Sequence, residues 1–391
     1  MVDIDAVRQS PIGDLVPISG TDPRTVKPWD YWAYLPHPLP ELPQLSSRAL
    51  AISAKAGAAV ARLDEAVAQL PRPEILVRPI IRKEAKSTSA LEGTYATFEE
   101  VLEADFLEDR QMSSEQREIR NYVDASESAC AQIQERRITR SFLGELQQTI
   151  VKGTEGDTPD AGDIRPHQVA IGPKDRPIEE ARFVPSPPGD QLAAGVQAWE
   201  DWIATESDLL VIAKVAIAHY QFETLHPFGD GNGRLGRLVS ILQLMKVGEL
   251  RWPVLNIAPW FEAHRDLYQD GLMDVTLTGD FNPWVELFAQ AVELQAREGL
   301  TKIQELLALR DQMIVDLRAH GFRGSVIQIA EILIGYPVID VRTASWLIQK
   351  TFEATNVSIG KLVEHGLLQE ITGRSQNRLF GCYPVALAIN R

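Results

Sequence analysis

The sequence predicts a mainly α-helical protein with one β-hairpin and a C-terminal winged helix-turn-helix. Three observations predict it. Apolar residues recur at three- to four-residue spacing through most of the 391 residues. One pair of strand-like pieces, Val169-Ala170-Ile171 and Arg182-Phe183-Val184, flanks the turn signal Gly172-Pro173-Lys174-Asp175. From Gly321 onward the pattern reads helix, helix, helix, hairpin.

Up to Pro43 the chain is rich in proline and aromatics, including Trp29, Tyr31, Trp32 and Tyr34. This predicts an extended segment wrapped on a core, not a helix. From Ser46 to Leu70 the apolar spacing turns helical, and Pro71 stops the run. A second helix covers Ile80 to Leu91 and meets Gly93 as a C-terminal cap. Thr97 with Glu100 reads as a capping box, and Leu143 to Val151 as a further helix. Beyond the hairpin at 168–184, a long helix is expected from about Leu192 to Phe222. Another starts near Asn232, and helices continue to about His320. The tail elements are Val326–Ile334, Val341–Ile348, Asn356–His365 and a hairpin across Thr372-Gly373-Arg374. The expected divisions are an N-terminal helical region (1–130), a core (131–300), and a linker helix with the winged helix-turn-helix (301–391).

A hydrophobic content of 45% over this length supports two or three cores. The net charge of −15 argues against a general nucleic-acid or membrane-surface binder. Cys130 and Cys382 are the only cysteines, too few for a disulfide framework or a cysteine metal site, and they fit a reducing compartment. The N-terminus lacks the apolar core of a signal peptide, and the stretch Leu209–Tyr220 is too short to span a bilayer. The cytoplasm is therefore expected. From Gly321 the tail holds seven Lys and Arg against five Asp and Glu, a balance of +2 that leaves −17 on the rest. Glu353 and Glu364 flank its candidate recognition helix, while Arg374 and Arg378 lie on the wing. This favours protein contact or homodimerisation over DNA binding.

The segment with the most chemistry is His226-Pro227-Phe228-Gly229-Asp230-Gly231-Asn232-Gly233-Arg234-Leu235-Gly236-Arg237. A helix ends, a glycine-rich loop follows, and a new helix opens. Glycines allow close backbone approach, and a helix N-terminus attracts anions. Arg234 and Arg237 share one face of the new helix, where cations are disfavoured unless an anion lies between them. Together these residues describe a polyphosphate cradle. Asp230 is the one nearby carboxylate for Mg²⁺ on the phosphates, and His226 is a base suited to neutral pH. The P-loop ending Gly-Lys-Ser/Thr is missing, and no strand precedes the loop as a dinucleotide fingerprint requires. A structural ion-pair cluster is the alternative reading.

Residues 226–237 resemble the signature HPFx(D/E)GNGRxxR of the Fic family of AMP transferases, without a departure. Gly162-Asp163-Ile164-Arg165 with Gln168–Gly172 resembles that family's flap, and Glu84 to Thr94 its N-terminal inhibitory region. The resemblance implies a Fic fold, ATP as substrate with Mg²⁺, and AMP transfer to a Ser, Thr or Tyr hydroxyl of another protein. His226 would deprotonate that hydroxyl and Asp230 would hold the metal. Gly231, Asn232 and Gly233 would form the anion hole, with Leu235 and Gly236 in the same nucleotide-binding turn. Arg234 would take the β-phosphate and Arg237 the γ-phosphate, while Phe228 pins the loop in the core. The resemblance also implies that the hairpin 168–184 presents the target by strand addition. Tyr268 would touch the nucleotide base, although Leu267 replaces the other tyrosine of the family's pair; a core tyrosine is the alternative. Thr88-Ser89-Ala90-Leu91-Glu92-Gly93 resembles the inhibitory motif, with Glu92 pairing bidentately with Arg237. Rival readings are transfer of another group, AMP removal, or a nucleotide-sensing transcription regulator. A metal hydrolase finds no third ligand beside His219 and His226.

Overall fold

A computed structural model describes residues 3–21, 27–70, 73–107, 109–172, 176–373 and 377–390. After a short helix α1 (Ile4–Val7), strands β1 (Gly13–Thr21) and β2 (Pro28–Pro36) pair antiparallel, with Gly13 opposite Pro36. The extended proline- and aromatic-rich segment is thus one arm of a hairpin. Pro17 is tolerated there because each strand of a two-stranded sheet has an open edge.

Helix α2 (Ser47–Ala68) is capped by the Ser46 side chain and buries Ala56, Val60, Leu63 and Val67. Pro71, the expected stop, lies outside the described residues. Helix α3 (Glu74–Leu91) begins earlier than Ile80, with Pro79 held inside it. It ends at Glu92, where Gly93 has φ +95°. The Gly93 N–H donates to the Ala90 carbonyl and the Thr94 N–H to that of Ser89, a Schellman closure that fixes the direction in which Glu92 leaves the helix. Helix α4 (Phe98–Glu103) opens on both halves of the Thr97–Glu100 capping box. Helix α5 (Ser114–Gln132) was not expected, and α6 (Arg140–Val151) follows.

Where one long helix was expected there are two, α7 (Asp190–Ala204) and α8 (Val211–Leu225). The polar run Thr205-Glu206-Ser207-Asp208 breaks the helix, and Thr205 turns to extended geometry. Helix α8 is buried almost all round, as its apolar sequence requires. The Trp199 and Trp284 indoles donate to its Ala218 and Ala216 carbonyls at 2.8 and 2.7 Å. Helix α9 (Asn232–Lys246) is equally enclosed. Then come α10 (Ala258–Ala263), α11 (Arg265–Thr278) and the 38-residue α12 (Asn282–Ala319).

The tail contains α13 (Ser325–Ile332), β3 (Val338–Asp340), α14 (Val341–Ile348), α15 (Phe352–His365), β4 (Gln369–Glu370), β5 (Leu379–Gly381) and α16 (Tyr383–Asn390). Its sheet order is β3-β5-β4. Arg374 of the wing lies outside the described residues. One continuous core runs from Ala49 to Ile389. Among the described residues no helix is long and apolar enough to cross a membrane.

Gly335 marks where the tail meets α3. A Cβ there would run into the Ile75 carbonyl and side chain. Gly335→Ala is therefore expected to cost about 1–3 kcal/mol of stability, seen as a lower midpoint in thermal unfolding.

Candidate active site

Helix α8 ends in a strained residue. His226 has φ 51° and ψ 61°, left-handed geometry that a side chain disfavours. Arg165 holds it there. Its backbone N–H donates to the Pro227 carbonyl at 2.9 Å and its Nε to the His226 carbonyl at 2.8 Å. Its Nη1 donates to the His167 carbonyl at 2.9 Å and its Nη2 to that of Ser186. The guanidinium is 1% exposed, and burial lowers its pKa to about 10, which keeps it charged at neutral pH. One side chain thereby ties the histidine turn to the segment before α7.

Phe228 points into the core, and Asn232 closes the loop around it. The Phe228 N–H donates to Asn232 Oδ1 at 2.9 Å, and Asn232 Nδ2 donates to the Phe228 carbonyl at 2.8 Å. The Asn232 amide is thus consumed in shaping the loop, which corrects its expected place in the anion hole. Only its backbone N–H faces the role. Gln147, unremarked in the sequence, donates to the Asp230 carbonyl at 3.0 Å and accepts from the Gly162 N–H at 2.6 Å.

Gly231 (φ +78°) caps α9, and the N–H groups of Asn232, Gly233 and Arg234 are those that a first helical turn leaves without an intrahelical acceptor. The Leu235 N–H already donates to the Gly231 carbonyl at 2.9 Å, and its side chain enters the core. Gly236 packs on Phe222 and Glu223. Neither Leu235 nor Gly236 faces the cradle, a correction to the expected nucleotide-binding set; both instead seat α9 against α8.

Arg234 and Arg237 rise from this turn, 2% and 1% exposed. Each meets a carboxylate, as buried cations at a helix N-terminus require. Arg234 Nη1 lies 3.0 Å from Glu118 Oε2, and Nη2 lies 3.5 Å from Asp230 Oδ1. Glu118, on the unexpected α5, also accepts from Thr94 Oγ1 at 2.8 Å. Arg237 Nη2 lies 2.5 Å from Glu92 Oε1, one contact where a bidentate pair was expected. Thr88 completes its shell: Arg237 Nε donates to Thr88 Oγ1 at 2.5 Å and Nη2 to the Thr88 carbonyl at 3.1 Å. Burial pushes the Glu92 carboxyl up, but Arg237 outweighs it and holds it below the ordinary range. Glu92 Oε1 also lies so close over Gly233 that a Cβ there would collide with it.

The His226 Nδ1 lies 3.3 Å from the Glu223 carbonyl. A carbonyl can only accept, so Nδ1 carries the hydrogen and Nε2 is the basic atom. Burial and the Arg165 charge lower the His226 pKa to about 4, below the neutral-pH base expected. His226 shares a cavity of about 120 Å³ with Glu92, Phe183, Glu223, Arg237 and Tyr268. Small-molecule clefts run to roughly 300–1,000 Å³; Glu92 fills the side of this one next to Gly233 and Arg237. Tyr268 is a buried tyrosine at the cavity wall. Its OH lies 2.9 Å from His219 Nε2 and its ring 4.6 Å from Phe261. Two buried carboxyls escaped the sequence reading. Glu223 is raised to about 7 by burial, and its Oε1 has no hydrogen-bond partner among the described residues. Glu84 is raised to about 8 by burial and accepts the Ala258 N–H.

Segment 168–184 is not a regular hairpin. Ile171 and Phe183 form a single antiparallel bridge, Ile171 N–H to Phe183 carbonyl at 2.8 Å. Pro177 and Pro185 cannot donate to a ladder, and Ile178–Glu180 coils into a 3₁₀ turn. The turn residues Pro173–Asp175 lie outside the described residues. Ile171 and Phe183 nonetheless line the cavity, and Arg182 pairs with Asp270 of α11 at 2.6 Å. β2 supports the segment from behind through Tyr34 N–H to the Val184 carbonyl. Asp230, 49% exposed, is the carboxylate within the loop itself, whereas Glu118 and Glu92 reach the cradle's arginines from other elements. That suits Mg²⁺ held mainly by phosphates and not a dedicated protein cage.

A buried helix pair joined by an anion-cradling His-to-Arg loop, inside a mainly helical body, defines the Fic fold. Residues 50–131 match the Fic/DOC family N-terminal region and residues 137–244 the Fic/DOC family. Residues 50–244 thus form a Fic/DOC family region. The chain is 31% identical over 194 residues to a protein adenylyltransferase Fic of Culex quinquefasciatus, covering 47% of this chain and 35% of that one. It is 32% identical over 174 residues to a protein of that name from Drosophila willistoni, covering 44% and 30%. The chain thus spans about a third of the length of these relatives. Its fold is similar to the crystal structure of a Fic family protein from Desulfovibrio desulfuricans G20, with a TM-score of 0.58 at 19% identity, covering 87% of this chain and 98% of that one.

A group with a folded pKa of about 4 stays neutral above it, so a histidine-resolved NMR titration should show the His226 ring uncharged down to about pH 5. Protonation near pH 6.5 would mean that the loop is open to water.

Proposed function

We propose that this chain is a protein adenylyltransferase, moving AMP from ATP to a hydroxyl side chain of a target protein and of itself. The observation that supports it best is the placing of the His226 basic nitrogen in the cavity that also contains Gly233 and Arg237. In the reaction, Nε2 takes the proton of the target hydroxyl as its oxygen bonds to the α-phosphorus. The bond from that phosphorus to the bridging oxygen breaks, and pyrophosphate carries the electron pair away. Arg234, Arg237 and the first-turn N–H groups of α9 stabilise the phosphate charge. Asp230 would hold Mg²⁺, which would supply further charge neutralisation. Bound phosphate charge also raises the His226 pKa from its low resting value, strengthening the base when substrate is present.

The resting geometry is self-inhibited in this reading. Glu92 is the anion paired with Arg237, and it lies on Gly233 where a phosphate oxygen would lie. A target segment adds its backbone beside Ile171 and Phe183.

The test uses [α-³²P]ATP with Mg²⁺ and the purified chain. Glu92→Gly should raise autolabelling over wild type by at least about tenfold, since it removes the carboxylate that competes with phosphate for Arg237. His226→Ala in the Glu92→Gly background should lose roughly 10²–10⁴-fold, the usual share of a general base. Preferential labelling from UTP or GTP would overturn the AMP assignment. Label persisting without His226 would remove its role.

A further inference from the structure

Far along the chain from the cradle, one group of three ligand-type side chains stands together among the described residues: Asp316, His320 and His365. Asp316 and His320 lie one turn apart in the last turns of α12, and His365 closes α15. Their ligand atoms all lie within 4.8 Å of one another.

The hydrogen bonding prepares them as ligands. His320 Nδ1 lies 2.9 Å from the Asp316 carbonyl, which can only accept, so Nδ1 carries the hydrogen and Nε2 the lone pair. Metal-bound histidines are usually oriented by such an outer bond to a carbonyl. His365 Nε2 lies 2.7 Å from Asp316 Oδ2, and its ring is packed edge-on against His320 at 4.8 Å and Phe322 at 5.4 Å. An ion pair accounts for Asp316 and His365. The same carboxylate also reaches the second imidazole, its Oδ1 lying 3.4 Å from His320 Nδ1, so all three groups converge on one point.

We propose that Asp316, His320 and His365 bind one Zn²⁺ ion, which clamps the winged helix to the end of α12. Two imidazoles and a carboxylate suit zinc, whereas Mg²⁺ and Ca²⁺ prefer oxygen alone. Ligand atoms around a tetrahedral zinc lie about 3.3 Å apart, so these side chains close in by about an ångström. Asp316 and His320 are more than half exposed and free to do so, and water takes the fourth position. On binding, His365 takes the tautomer with its hydrogen on Nδ1, so that a neutral imidazole offers the Nε2 lone pair and the zinc replaces the hydrogen bond between ring and carboxylate.

The test is calorimetric titration of the EDTA-treated full chain with ZnCl₂ at millimolar Mg²⁺. Wild type should take up one more equivalent than His320→Ala/His365→Ala, which keeps the other five histidines as an internal control. Zinc should also raise the wild-type Tm by about 2 °C or more and leave the double variant unmoved. Asp316→Asn should weaken uptake by at least about tenfold. Equal stoichiometry in wild type and double variant would overturn the site. A readout that needs no variant is Co²⁺: one equivalent should give the visible bands of a tetrahedral site, and their absence would equally refute the clamp.

Discussion

A guanidinium sealed inside a helix bundle must have an anion, and Arg237 is that guanidinium. It stands one turn into α9, where the helix N-terminus already repels a cation. Charged and 1% exposed, it organises everything around it. Thr88 supplies two acceptors and Glu92 the countercharge. Glu84 and Glu223 both feel its field, yet burial raises both carboxyls. The full negative charge therefore falls to Glu92 alone, at the cavity mouth with 40% of its side chain exposed. Any phosphate that enters the cradle competes for the same nitrogens.

The histidine side of the cavity obeys a second constraint. A left-handed His226 persists only if its neighbours over-determine it. Arg165 accomplishes this with one buried fork that gathers the His226, His167 and Ser186 carbonyls. The same charge depresses the imidazole pKa. Burial lowers it further still, so the enclosure that holds the ring rigid also keeps it weakly basic at rest.

The turn from His226 to Arg237 was legible in sequence because its signals are local: the glycines, the helix end and the new helix start all fall within twelve consecutive residues. What depends on distant pairing was not. Glu118 went unseen because α5 is polar on much of its surface, although Ser113 and Gln116 spell the capping box that opens it. Arg165 was noticed only as part of a flap-like string; nothing local says that its side chain reaches back to a helix end 61 residues away. Asn232 was misassigned because a motif lists residue types without saying that an amide is spent on its own loop. Strand pairing failed in both directions. Segment 168–184 has hairpin-like pieces but only one bridge among its described residues, while 13–21 and 28–36 pair along their whole length despite their prolines.

Helix α3 presents Glu84, Thr88 and Glu92 at four-residue intervals toward α9 and α10, so releasing Arg237 could mean undocking the helix or turning one side chain. The burial pattern separates these. Glu84 and Thr88 are 4% and 0% exposed, and Arg82 on the same helix is paired with Asp105. Undocking would strand all of these polar groups together, each costing roughly 1–3 kcal/mol. Glu92 lies beyond the last helical residue, after which the Schellman closure has already satisfied the carbonyls of Ser89 and Ala90. Rotating its side chain breaks one contact to Arg237 and leaves the helix intact. Turning that side chain away from Arg237 is therefore the lower-cost movement, and the rest of α3 stays in place as a fixed wall.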